Sequence, residues 1–76
     1  MSYRIEVRPA ALRALRKIHP DDRKRIQGAI ALLAQEPRPP GATNLRGRDG
    51  IRVRVGDYRI IYTVQDGGRL VVVVSL

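Results

Sequence analysis

The chain has 76 residues, enough for one small domain, and a chain of this length buries only about 60% of its surface on folding. Fifteen lysines and arginines oppose seven aspartates and glutamates, which gives a net charge of +8 and favours nucleic acid or an acidic protein as the partner. The absence of cysteine excludes disulfides and thiolate metal sites, and one histidine cannot form a zinc site by itself.

The N-terminal sequence bears on location. MSYRIEVRPA lacks the apolar stretch of a secretory signal, and no apolar run reaches the length of a membrane span. We therefore expect a cytoplasmic protein that uses no metal, small-molecule cofactor or membrane.

Arginine dominates the positive residues, with thirteen of the fifteen. Guanidinium groups bind phosphate bidentately and stack on bases in ways that a lysine ammonium does not. The bias favours binding of a polyanion, although a GC-rich genome also produces it.

The first elements are a strand and a short helix. Apolar and charged residues alternate over residues 3–8, which predicts a half-buried strand. Pro9 is well placed for the first turn of a helix, and Leu12, Leu15 and Ile18 follow at three-residue spacing. We expect this amphipathic helix to end at His19 and Pro20.

A second helix is predicted over Pro20–Gln35. Two aspartates in its first turn complement the helix dipole, and apolar residues from Ile26 to Leu33 form one stripe. The outer side of this helix carries Arg23, Lys24, Arg25 and Gln27. The short connection makes the two helices a hairpin, whose apolar faces need a sheet to cover them. Prolines from Pro37 onward predict a loop that runs to about Asn44.

The remaining chain is predicted to be β-structure. Ile51–Val55 alternates, Gly56 and Asp57 form a two-residue turn, and Tyr58–Gln65 forms the next strand. After a second tight turn, Leu70–Val74 is wholly apolar, which suits a strand in the middle of a sheet. We therefore predict one α+β domain over residues 1–76, in the order β-α-α-β-β-β, with an antiparallel twisted sheet on a helical hairpin.

A two-residue turn at Gly56 sets the register of the central hairpin. Arg54 then lies opposite Arg59, and alternation places Arg52, Arg54 and Arg59 on one side of the sheet. Like charges directly opposite cost up to about 1 kcal/mol, so the cluster favours a role in binding phosphate or an acidic partner. The alternative is a set of solvated edge charges that deter aggregation.

The sequence gives less support for a functional role of the other polar and aromatic residues. His19 is the single imidazole, but its place between the helices favours a structural role over general base catalysis. Tyr58 and Tyr62 share the side that faces the helices and are interpreted as packing residues. Arg46 and Arg48 lie in the loop before the hairpin and would extend the positive surface.

The segment Leu45–Tyr62 has a Leu-Arg-Gly stretch, an alternating basic strand and a Gly-Asp-Tyr-Arg turn. It closely resembles the central hairpin of the RelE/ParE superfamily of bacterial toxins. The resemblance extends over nearly the whole chain, including the order of elements and the opening Tyr-Arg-Ile-Glu-Val strand.

This resemblance implies a toxin of a toxin-antitoxin pair. RelE-like members cut messenger RNA in the ribosomal decoding site without a metal, and an acidic antitoxin wraps and silences them. By position, Arg52 and Arg54 match the basic residues of the alternating strand, and Arg59 matches the arginine that stabilises the reacting phosphate. Arg46 matches a further basic position that touches RNA, and Arg48 is assigned to RNA binding with it.

The resemblance stops before the end of the usual family pattern. Members continue with a Gly-His/Lys-Arg turn and a tyrosine that supply another phosphate ligand and a proton-transfer group, whereas this sequence ends at Leu76. Whether this chain cleaves RNA is therefore left open. The alternatives are a ParE-like poison of DNA gyrase and a non-catalytic module that binds RNA or the antitoxin.

Overall fold

The computed structural model describes residues 2–76, which form two helices and five strands. In chain order they are β1 (Arg4–Val7), α1 (Pro9–Arg16), α2 (Pro20–Leu33), β2 (Thr43–Asn44), β3 (Ile51–Val55), β4 (Tyr58–Gln65) and β5 (Leu70–Ser75). Neither helix of this part of the chain is long and apolar enough to span a membrane. The predicted α+β class and order of elements are confirmed, with β2 as an addition.

The helices begin where the sequence predicts, at Pro9 and Pro20, and end slightly earlier. After α1, the N–H groups of Lys17 and Ile18 donate to carbonyls three residues back, which tightens the last turn instead of extending the helix to His19. The same kind of bond from Ala34 follows α2, which ends at Leu33 rather than Gln35.

His19 begins α2. Its Nδ1 accepts a hydrogen bond from the backbone N–H of Asp21 at 3.2 Å, so the imidazole satisfies one of the free donors of the first turn. The carboxylates of Asp21 and Asp22 lie in the same turn, where the helix dipole favours negative charge. The structural role expected for His19 is confirmed.

Arg23 holds the two helices together. Its Nε donates to the carbonyl oxygen of Leu15 at 3.1 Å, and its Nη2 donates to those of Arg16 at 3.0 Å and Ile18 at 2.9 Å. One guanidinium therefore donates to three carbonyl groups at and just after the end of α1, where helical partners run out; that of Leu15 also accepts from the N–H of Ile18. The sequence placed this arginine only on the outer side of α2.

The sheet has the strand order β1-β5-β4-β3-β2. β5 lies between β1 and β4, as its apolar sequence predicted, but β1 pairs with it in parallel, so the sheet is mixed rather than wholly antiparallel. The helical hairpin carries the chain across the sheet to its far edge. From β2 to β5 each strand is antiparallel to the one before it, and the strands return step by step across the sheet. β5 therefore lies beside β1 and runs parallel to it.

β2 was predicted to be part of a loop. It consists of two polar residues, Thr43 and Asn44, that pair with Arg52 and Ile51 of β3. A segment this short shows no alternation, and only its pairing with β3 makes it a strand.

Both helices pack on one face of the sheet, the core face. The buried side chains there come from every large element, and Ile26, Ile60, Tyr62, Val71 and Val73 are 0% exposed. The phenol of Tyr62 donates to the carbonyl oxygen of Pro37 at 2.8 Å, which confirms its role in packing. By alternation, Arg52, Arg54 and Arg59 project from the opposite side, which is called the open face below.

Candidate functional site

The β3–β4 hairpin is closed by Gly56 and Asp57. Of these two residues only Gly56 takes a positive φ, at +60°, which is the pattern of the type II′ turn that suits the twist of a hairpin. Val55 pairs with Tyr58 and Arg54 pairs with Arg59, as predicted. The turn therefore fixes which side chains share a face.

Three arginines result on the open face of this hairpin: Arg52, Arg54 and Arg59, called the arginine cluster. All three are exposed. Within residues 2–76 none of them makes a side-chain hydrogen bond or an ion pair, so their donors face solvent. The predicted convergence of the three residues is confirmed, while their chemical role stays a prediction.

A cleft of about 290 Å³ lies over the cluster. The three arginines line it together with Asp57 and Tyr58. Tyr58 was expected only to pack, and its ring does lie against the core, yet it also borders the cleft. Asp57 brings a carboxylate to the cleft, and sequence reasoning treated it only as a turn residue.

The arrangement of the cleft suits an anion. Guanidinium groups keep their charge at any working pH and present paired donors that match phosphate oxygens. Because Arg54 lies directly opposite Arg59, their mutual repulsion is relieved when a phosphate or a carboxylate binds between them. The cleft can therefore hold a phosphodiester and stabilise charge that develops on it.

Arg46 and Arg48 lie apart from the cluster. They belong to the turn between β2 and β3, which is closed by the N–H of Leu45 donating to the carbonyl oxygen of Gly50 at 3.0 Å. The nearest member of the cluster is Arg52, the second residue of β3, whereas Arg54 and Arg59 lie beside the Gly56 turn at the other end of that strand. Neither residue lines the cleft, so their assignment to RNA binding stays a prediction about a more distant surface.

A second polar cluster joins three distant parts of the chain. Arg38 binds Asp66 with both terminal nitrogens, Nη1 to Oδ1 at 3.0 Å and Nη2 to Oδ2 at 2.9 Å, and the phenol of Tyr3 donates to Oδ1 at 2.7 Å. The hydrogen bonds from Arg38 and then from Tyr3 lower the pKa of Asp66 to about 2. No sequence motif predicted this cluster, because its members are 28 and 63 residues apart.

Arg38 also borders a groove of about 500 Å³ near the start of β3, beside Asn44, Asp49 and Gln65. The groove is the larger of the two described here, but its arginine is already bound by Asp66. Its charge is therefore balanced, unlike that of the cleft over the arginine cluster. We take the cleft as the functional site for that reason.

Comparison with known proteins supports the family suggested by the sequence. The model of the family described as the ParE toxin of type II toxin-antitoxin systems, parDE, matches residues 5–76. A search of curated proteins found no significant match.

Solved structures of similar fold include toxin-antitoxin complexes from three organisms. RelE in the RelE-RelB complex of Pyrococcus horikoshii is 26% identical with a TM-score of 0.85, over 99% of this chain and 92% of that chain. A chain of the RelBE2 complex of Mycobacterium tuberculosis is 25% identical with a TM-score of 0.86, and the match covers 99% of this chain and 95% of that one. A chain of the Escherichia coli RelBE complex is 27% identical with a TM-score of 0.79, and the match covers 97% of this chain and 93% of that one.

The family match covers nearly the whole chain, and the fold follows the RelE structures from β1 to β5. The protein therefore belongs to the ParE toxin family of the RelE/ParE superfamily and is a toxin of a type II toxin-antitoxin system.

Proposed function

We propose that this toxin is a ribosome-dependent endoribonuclease that cleaves messenger RNA and so inhibits translation. One observation carries the proposal: Arg52, Arg54 and Arg59 line one exposed cleft and have no side-chain partner within residues 2–76. Three guanidinium groups brought together on one face suit the phosphodiester of a single RNA strand. A toxin that acted only by contact with a protein would not require such a convergence.

The proposed reaction is attack by a ribose 2′-oxygen on the neighbouring phosphorus, with departure of the 5′-oxygen. Negative charge grows on the phosphoryl oxygens, and Arg54 and Arg59 are placed to stabilise it from opposite strands. Arginine cannot take up the 2′-hydroxyl proton, because it is already protonated. Of the residues that line the cleft, we assign to Asp57 the carboxylate for that transfer and to Tyr58 the phenol that protonates the leaving 5′-oxygen.

The partner that silences the toxin is proposed to be an acidic antitoxin. The similar chains from Pyrococcus horikoshii and Escherichia coli were solved as complexes with their antitoxins. An acidic segment laid on the arginine cluster would neutralise it and close the cleft. Binding of the antitoxin should raise the melting temperature of the toxin by mass action, and masking of the cluster is rejected if the antitoxin binds the helices alone.

Poisoning of DNA gyrase is the second candidate, because the matching family model describes ParE toxins. The two functions make different demands on the cleft. Gyrase poisoning requires a protein contact, in which replacing an arginine changes binding affinity and inhibition together. Phosphodiester cleavage requires charge stabilisation at one position, so that single substitutions reduce the rate steeply.

The deciding experiment compares two assays on the same protein preparation. Purified toxin is added to ribosomes programmed with messenger RNA, and cleavage is mapped by primer extension; in parallel, gyrase is assayed for supercoiling and for trapped DNA breaks. Ribosome-dependent cuts without an effect on gyrase support the proposal. Inhibited gyrase with intact messenger RNA establishes the alternative.

A version extended past Leu76 by the family's Gly-His-Arg and tyrosine segment serves as a matched control. If the extended toxin cleaves messenger RNA far faster than the 76-residue chain, that segment supplies the proton transfer in place of Asp57 and Tyr58. If the two forms cleave equally, the groups of the cleft suffice.

A further inference from the structure

A further arginine lies against the β3–β4 turn from the side of the helices. The Nη2 and Nη1 atoms of Arg25 are 3.3 and 3.4 Å from the position that a Cβ atom would occupy at Gly56. Because Gly56 has no side chain and turns with φ +60°, the guanidinium rests directly on the backbone of the turn. The side chain of Arg25 nevertheless stays 63% exposed.

The position of Arg25 follows from the geometry of α2. Ile26 is 0% exposed and points into the core, so Arg25 lies at the flank of the buried stripe and reaches the sheet. Lys24 is roughly 100° further round the helix, on its exposed side. Arg25 and the arginine cluster therefore carry positive charge on the two sides of one turn.

The charge of Arg25 is only weakly balanced. Its nearest acidic partner is Asp22, with Nη1 and Oδ1 3.8 Å apart, which is an ion pair without a hydrogen bond. Exposed pairs of this kind contribute little to stability. In residues 2–76 Arg25 has no side-chain hydrogen bond, whereas its neighbour Arg23 donates to three carbonyl groups. Its guanidinium donors are therefore available to a ligand.

We infer that Arg25 is a further RNA-binding residue, which binds a phosphate of the same single strand on the helix side of the turn. The sheet ends at this turn, so an RNA strand seated in the cleft can pass round Gly56, which has no side chain, to the helix side where Arg25 lies. The inference rests on the proposed function, since it requires that the cleft bind RNA. The sequence placed Arg25 only on the outer side of α2, and its position beside the turn comes from the structure.

The test measures binding of a short, labelled oligouridine by fluorescence anisotropy at several salt concentrations. Arg25→Gln should weaken binding about five-fold and reduce the log-log salt slope by about 0.7, the contribution of one phosphate on a single strand. Lys24→Gln removes the same charge from the adjacent residue and should change neither quantity appreciably. Asp22→Asn should strengthen binding, because it leaves Arg25 without a competing carboxylate.

The outcomes separate this inference from the proposed function. If the parent protein binds with a salt-dependent affinity and Arg25→Gln behaves like Lys24→Gln, the role of Arg25 is rejected and the cleft keeps its function. If the parent shows no salt-dependent binding of RNA, both proposals are rejected. If Arg25→Gln weakens only the complex with an acidic antitoxin peptide, Arg25 belongs to a protein interface. Thermal melting of each variant verifies that the fold is intact.

Discussion

Arginines serve two opposite purposes in this small protein. Arg23 and Arg38 are bound within the fold, the first by carbonyl groups at the end of α1 and the second by the carboxylate of Asp66. The arginine cluster on β3 and β4 has no such acceptor in the described chain and faces an open cleft. The residue type is the same, and only the presence of a nearby acceptor differs.

The difference shows where the protein can bind a ligand. A guanidinium that already donates to internal acceptors must break those bonds before it can bind a phosphate, whereas one that faces solvent gives up only water. Composition counts both kinds equally in the net charge of +8. The structure separates the arginines that stabilise the fold from those that can bind a partner.

The largest effect is expected from Arg59→Ala. If Arg59 stabilises charge that develops on the phosphate, its loss should lower the cleavage rate by about 100-fold or more while RNA affinity falls only a few-fold. Single-turnover cleavage and equilibrium binding measured on the same variant separate the two. An equal loss in both quantities would show that Arg59 acts in binding alone.

Two controls accompany this variant. Arg46→Ala should weaken RNA binding without a comparable effect on the rate, because Arg46 lies outside the cleft. Arg59→Ala should melt at the parent's temperature or slightly above it, since the change relieves the repulsion from Arg54. A marked fall in melting temperature would mean that lost activity reflects unfolding.

The reverse behaviour is expected of Arg23→Ala. The change removes the guanidinium donor from the carbonyl groups of Leu15, Arg16 and Ile18, of which Leu15 keeps the N–H of Ile18, and the free energy of unfolding should fall by about 2 kcal/mol. For a domain of this size that corresponds to a decrease of roughly 10 °C in melting temperature. Arg23→Lys should restore little, because an ammonium cannot reach all three oxygens. Unchanged stability would contradict a structural role for Arg23.

The salt dependence of RNA binding tests whether only the arginines that face solvent bind phosphate. Three arginines that neutralise phosphates contribute about −2 to the slope of log affinity against log salt, and each single replacement in the cluster should remove about 0.7. Arg38→Gln should leave the slope unchanged, because Arg38 is already paired with Asp66. A smaller salt slope in Arg38→Gln would show that RNA also binds the groove that Arg38 borders.

The smallest effect concerns acid stability. The pKa of Asp66 is about 2 in the folded protein and 3.8 ordinarily, so its pairing stabilises the fold above about pH 3.8, and this contribution is lost as the pH falls through 2. Asp66 is 58% exposed, so the effect should be small and weaker at high salt. Carboxyl titration by NMR should find the low pKa in the parent and a higher one in Arg38→Ala. An ordinary pKa in the parent would show that the pair does not persist in solution.

Local patterns in the sequence predicted the elements and the cluster well. The two-residue turn at Gly56 determines the register, and the register places Arg52, Arg54 and Arg59 on one face without any knowledge of the rest of the fold. Pro9 and Pro20 begin the helices for equally local reasons. Predictions that depend on neighbours in the chain were thus confirmed.

Features that depend on distant parts of the chain were missed. The bond between Arg38 and Asp66, the contact of Arg25 with Gly56 and the parallel pairing of β1 with β5 each join segments at least 28 residues apart. Arg23 and Arg25 were both predicted to be solvated charges, because helical spacing gives the side of the helix on which each side chain lies but not the groups from other elements that it meets there. The role of Asp57 was missed for a similar reason, since a turn residue becomes a cleft residue only when the strands on both sides are folded.

The pairing of β1 with β5 also affects how the toxin forms during its own synthesis. Arg4 pairs with Leu70, so β1 has no partner in the sheet until β5 has been made. Contacts between such distant residues form late, because a long loop must close first. The central hairpin is local and can form early, yet the core face beneath it lacks Val71 and Val73 until β5 has been made. The earlier strands and helices therefore wait for β5 before the core that they share can close.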